Sequence, residues 1–184
     1  MEAVPNIVGS LIIWGVLLMQ LAVIVGIVGL FLRRDNRWVV LVSRHALAGM
    51  FVAVFASILG SYFYSMILGF APCVLCIYQR WLIIAQLIIL TIAVARNDRG
   101  VFPYVGGLSI FGFLIAIYHV VILPIQASSY ICAPGAVSCL EGYVSGFGYI
   151  TIPVMALTLF AFLIVLWAYG MRVSKGGIVE NVIK

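Results

Sequence analysis

Long apolar stretches alternate with short polar segments along the chain. Each stretch has about twenty residues or more, which is what a helix needs to cross a hydrocarbon core about 30 Å thick. The apolar residues follow one another continuously, whereas strands of a membrane barrel would alternate between apolar and polar positions. Helices also satisfy their backbone hydrogen bonds within one segment. The pattern therefore predicts five transmembrane helices, at residues 7–32, 45–70, 77–95, 103–123 and 149–169.

The composition agrees with lipid as the solvent of this protein. Of its 184 residues, 66% are hydrophobic and 8% are charged, against roughly 25% charged in soluble domains. This balance predicts an all-α integral membrane protein. The net charge of +5 would suggest nucleic-acid binding in a soluble protein, but here we interpret it as a signal of topology and expect no nucleic-acid partner. The first apolar stretch exceeds the ~7–15-residue core of a secretory signal, so we expect it to be retained.

The basic residues predict the orientation of the helices. Lys and Arg collect beside cytoplasmic helix ends, and nine of the ten fall in segments that five spans place on one side. We therefore expect the N-terminus outside and the C-terminus in the cytoplasm. The nine are Arg33, Arg34, Arg37, Arg44, Arg96, Arg99, Arg172, Lys175 and Lys184. The exception is Arg80 in the third span, and an ionisable residue there suggests a function.

All four cysteines fall on the extracytoplasmic side in this topology. Cys73 and Cys76 form a CxxC pair where the third span begins, and Cys132 and Cys139 lie in the loop 124–148. Two pairs that face an oxidising compartment favour disulfide chemistry. The alternatives are a zinc site with four thiolate ligands and two structural disulfides. The wide second pair disfavours zinc, and a staple at the end of a helix would stabilise the bundle little.

The residues around the CxxC pair favour a working redox centre. Pro72 suits the first turn of a helix, which would place Cys73 and Cys76 where the helix dipole stabilises a thiolate. Arg80 follows Cys76 by four residues and therefore lies on the same helical face, one turn deeper. The alternative for Arg80 is an interfacial side chain that reaches towards lipid headgroups.

Three segments resemble the DsbB family of quinone-dependent disulfide oxidases, in its BdbC-like branch. They are PCVLCIYQR at 72–80, CAPGAVSC at 132–139 and GYITIPVMALTLFAF at 148–162. The resemblance implies a bacterial cytoplasmic-membrane protein with a four-helix transmembrane bundle at residues 44–172 and two extracytoplasmic cysteine loops. Residues 1–43 would then form an additional N-terminal transmembrane helix and a basic cytoplasmic loop, and residues 173–184 a cytoplasmic tail.

The resemblance also implies an electron path. Cys132 would form a mixed disulfide with a reduced, DsbA-like thioredoxin-fold partner, and Cys139 would exchange with Cys73. A membrane quinone, ubiquinone or menaquinone, would then accept the electrons, since such a molecule carries the redox chemistry that the protein positions. The residues implied to bind the quinone are Cys76, Arg80 and His119.

Three further points complete the prediction. No haem is expected, because His45 and His119 would lie at depths too different to share one iron. No other metal is expected, since the cysteine spacing and the compartment favour disulfides. Gln79 stands where some family members have an acidic residue. The remaining alternatives are a vitamin K epoxide reductase-like quinone reductase, in which the loop pair precedes the CxxC, and a non-enzymatic membrane scaffold with structural disulfides.

Overall fold

The computed structural model describes residues 3–32, 36–122 and 147–176. Every regular element in these ranges is helical, and five helices are long and apolar enough to cross a membrane, which confirms the predicted fold class. The α-helices, numbered in chain order, are α1 (Ala3–Leu32), α2 (Asn36–Tyr62), α3 (Val74–Arg96), α4 (Phe102–Ile117) and α5 (Ile152–Gly176). Two π-helical turns extend α2 and α4, at Phe63–Ile67 and Tyr118–Ile122.

Two helix boundaries differ from the hydropathy pattern. The second helix begins at Asn36 rather than at residue 45, because the segment that holds Arg37 and Arg44 has no Gly or Pro and can continue a helix beyond the apolar stretch. The third helix ends at Arg96, where Asn97 adopts a left-handed conformation with φ of 50°. The amide of Asp98 donates to the carbonyl of Ala93 at 2.9 Å, which is the closing bond of a Schellman motif.

The central helix of the bundle is α5, which packs against α1, α2 and α4. Its contact with α4 is close because each helix presents glycines to aromatic rings of the other. A β-carbon on Gly112 of α4 would overlap the ring of Phe160, and one on Gly170 of α5 would lie 2.6 Å from the ring of Phe102. Small residues of this kind let transmembrane helices approach each other closely. The paired residue numbers run in opposite directions, so α4 and α5 are antiparallel.

The first helix runs parallel to α5. The side chain of Gln20 donates to Thr158 at 3.3 Å, and the hydroxyl of Tyr169 donates to the carbonyl of Gly26 at 2.9 Å. The two numbers in each pair increase together, which fixes the relative direction. One end of the bundle therefore contains the start of α1, the end of α2 and the start of α5.

The outside of the bundle is apolar and its interior is tightly packed. The window of α1 that could span a membrane is only 6% buried, and its exposed residues include Trp14, Leu18 and Phe31. Met50, Leu90 and Phe160 are among the fully buried side chains of the interior. An apolar outer surface suits a lipid environment. The face of the membrane that each end meets stays a prediction from the basic residues.

Candidate functional site

The CxxC pair lies at the beginning of α3. Cys73 is the N-cap residue, with φ of −70° and ψ of 166°, and its carbonyl accepts from the amide of Ile77 at 3.0 Å. Cys76 lies in the first turn, and the two Sγ atoms are 3.1 Å apart. Pro72 lies before the N-cap and not in the first helical turn, where the sequence predicted it. The helix therefore begins after Pro72, at Val74. Both sulfurs still lie at the positive end of the helix dipole.

His119 lies beside the CxxC pair. It belongs to the π-helical turn after α4, it is 2% exposed, and its Nε2 atom is 3.9 Å from Sγ of Cys73. One donor atom from each of Cys73, Cys76 and His119 lies within 4.8 Å of the others. We call these three residues the thiol–imidazole cluster. The family resemblance implied that His119 binds a quinone, and the structure shows that His119 lies next to the thiol of Cys73.

The thiol–imidazole cluster has the composition of a possible zinc site as well as that of a redox site. Two thiolates and one imidazole are three suitable ligands for Zn²⁺, which would leave a fourth coordination position open. The zinc alternative from the sequence used four cysteines and did not include His119. The structure therefore changes which residues a metal would contact.

Arg80 is anchored to the neighbouring helix α2. Its Nε atom donates to the hydroxyl of Ser61 at 3.0 Å, and its Nη2 atom donates to the carbonyl of Ser61 and to the hydroxyl of Ser65, each at 3.2 Å. The guanidinium carbon also lies 5.1 Å from the ring centroid of Tyr62, within the range of a cation–π contact. These contacts hold the side chain between α2 and α3, in a geometry unlike that of an arginine extended towards headgroups.

Both π-helical turns lie at the site. The turn Phe63–Ile67 contributes Tyr64 and Ser65, and the turn Tyr118–Ile122 contributes His119. Such turns are rare and occur frequently at functional sites. Tyr64, within the first of them, is only 6% exposed. Hydropathy does not show a π-helical turn, and the sequence predicted regular helices there.

A cavity of about 420 Å³ joins these groups. Most of its wall is apolar, and its polar lining includes Ser61, Gln79 and Arg80 together with the thiol–imidazole cluster. Gln79 is 3% exposed, and neither its Nε2 atom nor the hydroxyl of Tyr64 has a hydrogen-bond partner within the described ranges. Buried donors of this kind are rare and call for an explanation. An apolar pocket with a few convergent polar groups is typical of a small-molecule site.

Gln79 and Tyr64 are cavity residues that the sequence did not assign to a site. Gln79 was noted only as a departure from the family, although a polar residue next to a CxxC pair in an apolar span is itself a signal of function. Tyr64 was not singled out. The contribution of α1 to the cavity wall also had no signal in the sequence, because a wholly apolar helix does not show which face meets its neighbours.

The remaining predicted residues are Cys132, Cys139 and His45, and of these only His45 is described; it does not line this cavity. Cys132 and Cys139 lie outside the described residues, as does nearly all of the loop 124–148. His45 is exposed on α2, sixteen positions before Ser61 and hence roughly 24 Å away along the helix axis. This separation supports the argument that His45 and His119 do not share an iron.

These features define a helical, multi-pass membrane protein with a paired-cysteine site at one end of its bundle. The family model described as "Disulfide bond formation protein DsbB" matches residues 43–170. The chain therefore belongs to the DsbB family, which confirms the resemblance seen in the sequence. As a member of this family it is a bacterial membrane protein of the disulfide-bond-formation class.

Curated relatives agree with this assignment. The chain is 40% identical over 112 residues to the SPbeta prophage-derived disulfide bond formation protein B of Bacillus subtilis, which covers 61% of this chain and 76% of the relative. It is 38% identical over 116 residues to the probable disulfide formation protein C of Bacillus cereus, covering 62% of this chain and 84% of the relative. A probable disulfide formation protein of Coxiella burnetii is 31% identical over 136 residues, or 71% of this chain and 92% of the relative. No solved structure matches the chain.

Proposed function

We propose that this protein is a membrane thiol–disulfide oxidase that reoxidises an extracytoplasmic thioredoxin-like partner and passes the electrons to a membrane quinone. In the balanced reaction, the partner dithiol becomes a disulfide and the quinone becomes a quinol by taking two electrons and two protons. The observation that carries the proposal is one cavity that contains the sulfur of Cys76, the guanidinium of Arg80 and the amide of Gln79. Membership of the DsbB family supports the disulfide chemistry.

The first half of the proposed reaction is thiol–disulfide exchange. A partner thiolate attacks Cys132 and breaks its bond to Cys139, and the Cys139 thiolate then attacks Cys73 and breaks the Cys73–Cys76 bond. Exchange is fast when the leaving sulfur is a stable thiolate. The position of Cys76 in the first turn of α3 supports its role as that leaving group, because the helix dipole stabilises a negative charge there.

The second half restores the Cys73–Cys76 disulfide. The second thiolate of the partner first attacks the partner sulfur that is bonded to Cys132, which forms the partner disulfide and releases Cys132 as a thiolate. Cys132 then attacks Cys139, which restores the loop disulfide and breaks the Cys139–Cys73 bond, so that Cys73 and Cys76 are both reduced. Both thiols must then lose their protons as the sulfur–sulfur bond forms and the electron pair leaves for the quinone. The 3.9 Å distance from Nε2 of His119 to Sγ of Cys73 supports a role for the imidazole in accepting the proton of Cys73.

Hydrogen-bond donors support a carbonyl compound as the electron acceptor. The two oxygens of a quinone accept hydrogen bonds, and they gain negative charge as the molecule is reduced. Arg80 is held at the cavity by Ser61 and Ser65, where its fixed charge would stabilise that developing charge. Gln79 and Tyr64 each bring a buried donor that has no partner in the described part of the chain. A quinone oxygen would satisfy one of them.

The basic residues support the sidedness of this reaction. Arg96, Arg99 and Arg172 lie at the ends of α3 and α5, away from the ends at which the CxxC pair and the cavity lie. If these charges mark the cytoplasm, the thiols open towards the outside, where reduced export partners occur. The N-terminus would then lie outside and the C-terminus inside.

Anaerobic mixing of the purified protein, a reduced thioredoxin-like dithiol protein and menaquinone tests the proposal through the absorbance of the quinone. We expect one quinone to be reduced for each partner disulfide formed. Cys76→Ser should abolish quinone reduction with every reductant. Cys132→Ser is the matched control, since it should lose the reaction with the protein partner but keep a slow reaction with a small dithiol. Quinone reduction that persists in Cys76→Ser would contradict the assignment of the acceptor site.

A further inference from the structure

The first helix is part of the same bundle as the candidate site, although it lies outside the matched family region 43–170. Gln20 donates to Thr158 of α5 at 3.3 Å and accepts from the hydroxyl of Tyr149, three residues before α5, at 2.8 Å. One turn and a half further along, Tyr169 donates to the carbonyl of Gly26 at 2.9 Å. These bonds fix both the rotation and the register of α1 on α5.

This register turns one face of α1 into the cavity. Residues that recur at three- and four-residue spacing share a helical face, and such a set in the first half of α1 lines the cavity. Its members are Val8, Leu11, Ile12, Gly15, Val16 and Met19. All of them are apolar or lack a side chain, whereas the polar lining comes from α2, from the N-terminal part of α3 with Cys73, and from both π-turns. The cavity is therefore polar on one side and apolar on the side of α1.

We propose that α1 is a specificity-determining wall of the electron-acceptor pocket and that it binds the hydrocarbon tail of the quinone. The ring of the quinone lies at the polar side, next to Cys76 and Arg80, and its isoprenoid tail lies against α1. The inference rests on the proposed function of the site and adds a role for a helix that the family core does not contain. It also explains why α1 keeps a fixed register on α5 although most of its surface faces outwards.

Gly15 offers a way to fill the apolar side of the cavity without displacing α1. It lines the cavity, and a β-carbon built on it would meet no atom within 4 Å. A leucine at this position would therefore project into space that the tail would occupy. Gly9 is a matched control on the same helix. A β-carbon there also meets no atom within 4 Å, but Gly9 does not line the cavity.

The experiment compares two acceptors that share a ring and differ in the tail. Menadione is a naphthoquinone without an isoprenoid tail, and menaquinone with four isoprene units carries the same ring with a tail. The wild type, Gly15→Leu and Gly9→Leu are assayed as full-length proteins with a reduced thioredoxin-like dithiol. Binding is measured separately as the rise in Tm of the oxidised protein when either compound is added, because a ligand stabilises the state that binds it.

For Gly15→Leu we expect kcat/KM for the tailed quinone to fall about tenfold or more, the scale on which an apolar pocket discriminates by size. Menadione should be reduced within twofold of the wild-type rate, and the rise in Tm caused by the tailed quinone should disappear. Gly9→Leu should behave as wild type in both assays. An equal loss with both acceptors, an unchanged Gly15→Leu, or the same loss in Gly9→Leu would each overturn the role of α1.

The two proposals fail in different ways. If the wild type reduces neither acceptor in the presence of a reduced dithiol protein, the proposed function is wrong. If the wild type is active and Gly15→Leu retains both its preference for the tailed quinone and its rise in Tm, only the inference about α1 is wrong. A second variant, Leu11→Ala, removes apolar contact surface from the same wall. It should weaken binding of the tailed quinone and leave binding of menadione unchanged.

Discussion

Replacing Gln79 by methionine should stabilise the empty protein and weaken its use of quinone. The side chain of Gln79 is 3% exposed and lines the cavity, and its Nε2 atom has no hydrogen-bond partner within the described ranges. Methionine has a similar length and shape but no donor to leave unsatisfied. The substitution therefore removes an amide donor that makes no hydrogen bond within the described part of the fold but that would bind a quinone oxygen in the proposed reaction.

The two expected effects have opposite signs and similar sizes. An unsatisfied buried donor costs about 1–3 kcal/mol, and we take the lower end because Gln79 borders a cavity. The free energy of unfolding should therefore rise by ~1 kcal/mol in Gln79→Met. A neutral hydrogen bond to a quinone oxygen contributes about 1 kcal/mol, so its loss should raise the Kd of the quinone about fivefold.

Gln86 provides the control, because it is a fully buried amide on the same helix whose donor is used by the fold. Its Nε2 atom donates to the hydroxyl of Ser109 at 2.8 Å and to the carbonyl of Val105 at 3.3 Å. Hydrogen bonds inside membranes average ~0.6 kcal/mol each. Gln86→Met loses both bonds but also removes an Oε1 atom that has no partner within the described ranges, so it should not raise the free energy of unfolding and should leave the Kd of the quinone unchanged.

The assay combines thermal or denaturant unfolding in detergent with titration of menaquinone. Only a rise in stability together with weaker quinone binding in Gln79→Met, and neither effect in Gln86→Met, agrees with the assigned roles. If Gln79→Met is less stable than the wild type and binds quinone normally, Gln79 is a structural residue and the argument from its unpaired donor is wrong.

Three further predictions follow from contacts in the bundle. Arg80→Lys keeps the charge but cannot bond to both Ser61 and Ser65, so the loss of about one charge-assisted hydrogen bond should lower the free energy of unfolding by ~1.5 kcal/mol. The ammonium, no longer held at the cavity, should also raise KM for quinone; an unchanged KM would mean that charge alone matters. Gly112→Ala adds a methyl group against the ring of Phe160, which is fully buried, and should lower the free energy of unfolding by about 1–3 kcal/mol without changing KM for quinone. An unchanged free energy of unfolding would refute the close contact between α4 and α5. Preincubation with Zn²⁺ should inhibit quinone reduction when Cys73 and Cys76 are thiols, and EDTA should restore it. The protein preincubated with Zn²⁺ in its disulfide form should keep its activity; inhibition of both forms would place the metal elsewhere.

The hydrophobic pattern alone determined the spans and the fold class. A transmembrane helix must be apolar over its whole length, so α1 and α5 are visible in the sequence without any knowledge of their neighbours. The PCVLCIYQR segment was equally informative, because the spacing of Cys73, Cys76 and Arg80 refers to one helix, whose geometry is known in advance. The family resemblance depended on the same local information.

Only the tertiary structure decided which groups from different helices meet. The sequence could not pair Arg80 with Ser61, because that contact depends on how α2 and α3 are rotated towards each other. The two π-turns leave the hydropathy unchanged, yet they contain Tyr64, which is buried, and His119, which lies next to Cys73. The cavity face of α1 was hidden for a related reason. In lipid both the outer and the inner face of a helix are apolar, so hydrophobicity identifies the helix but not the side that lines the site.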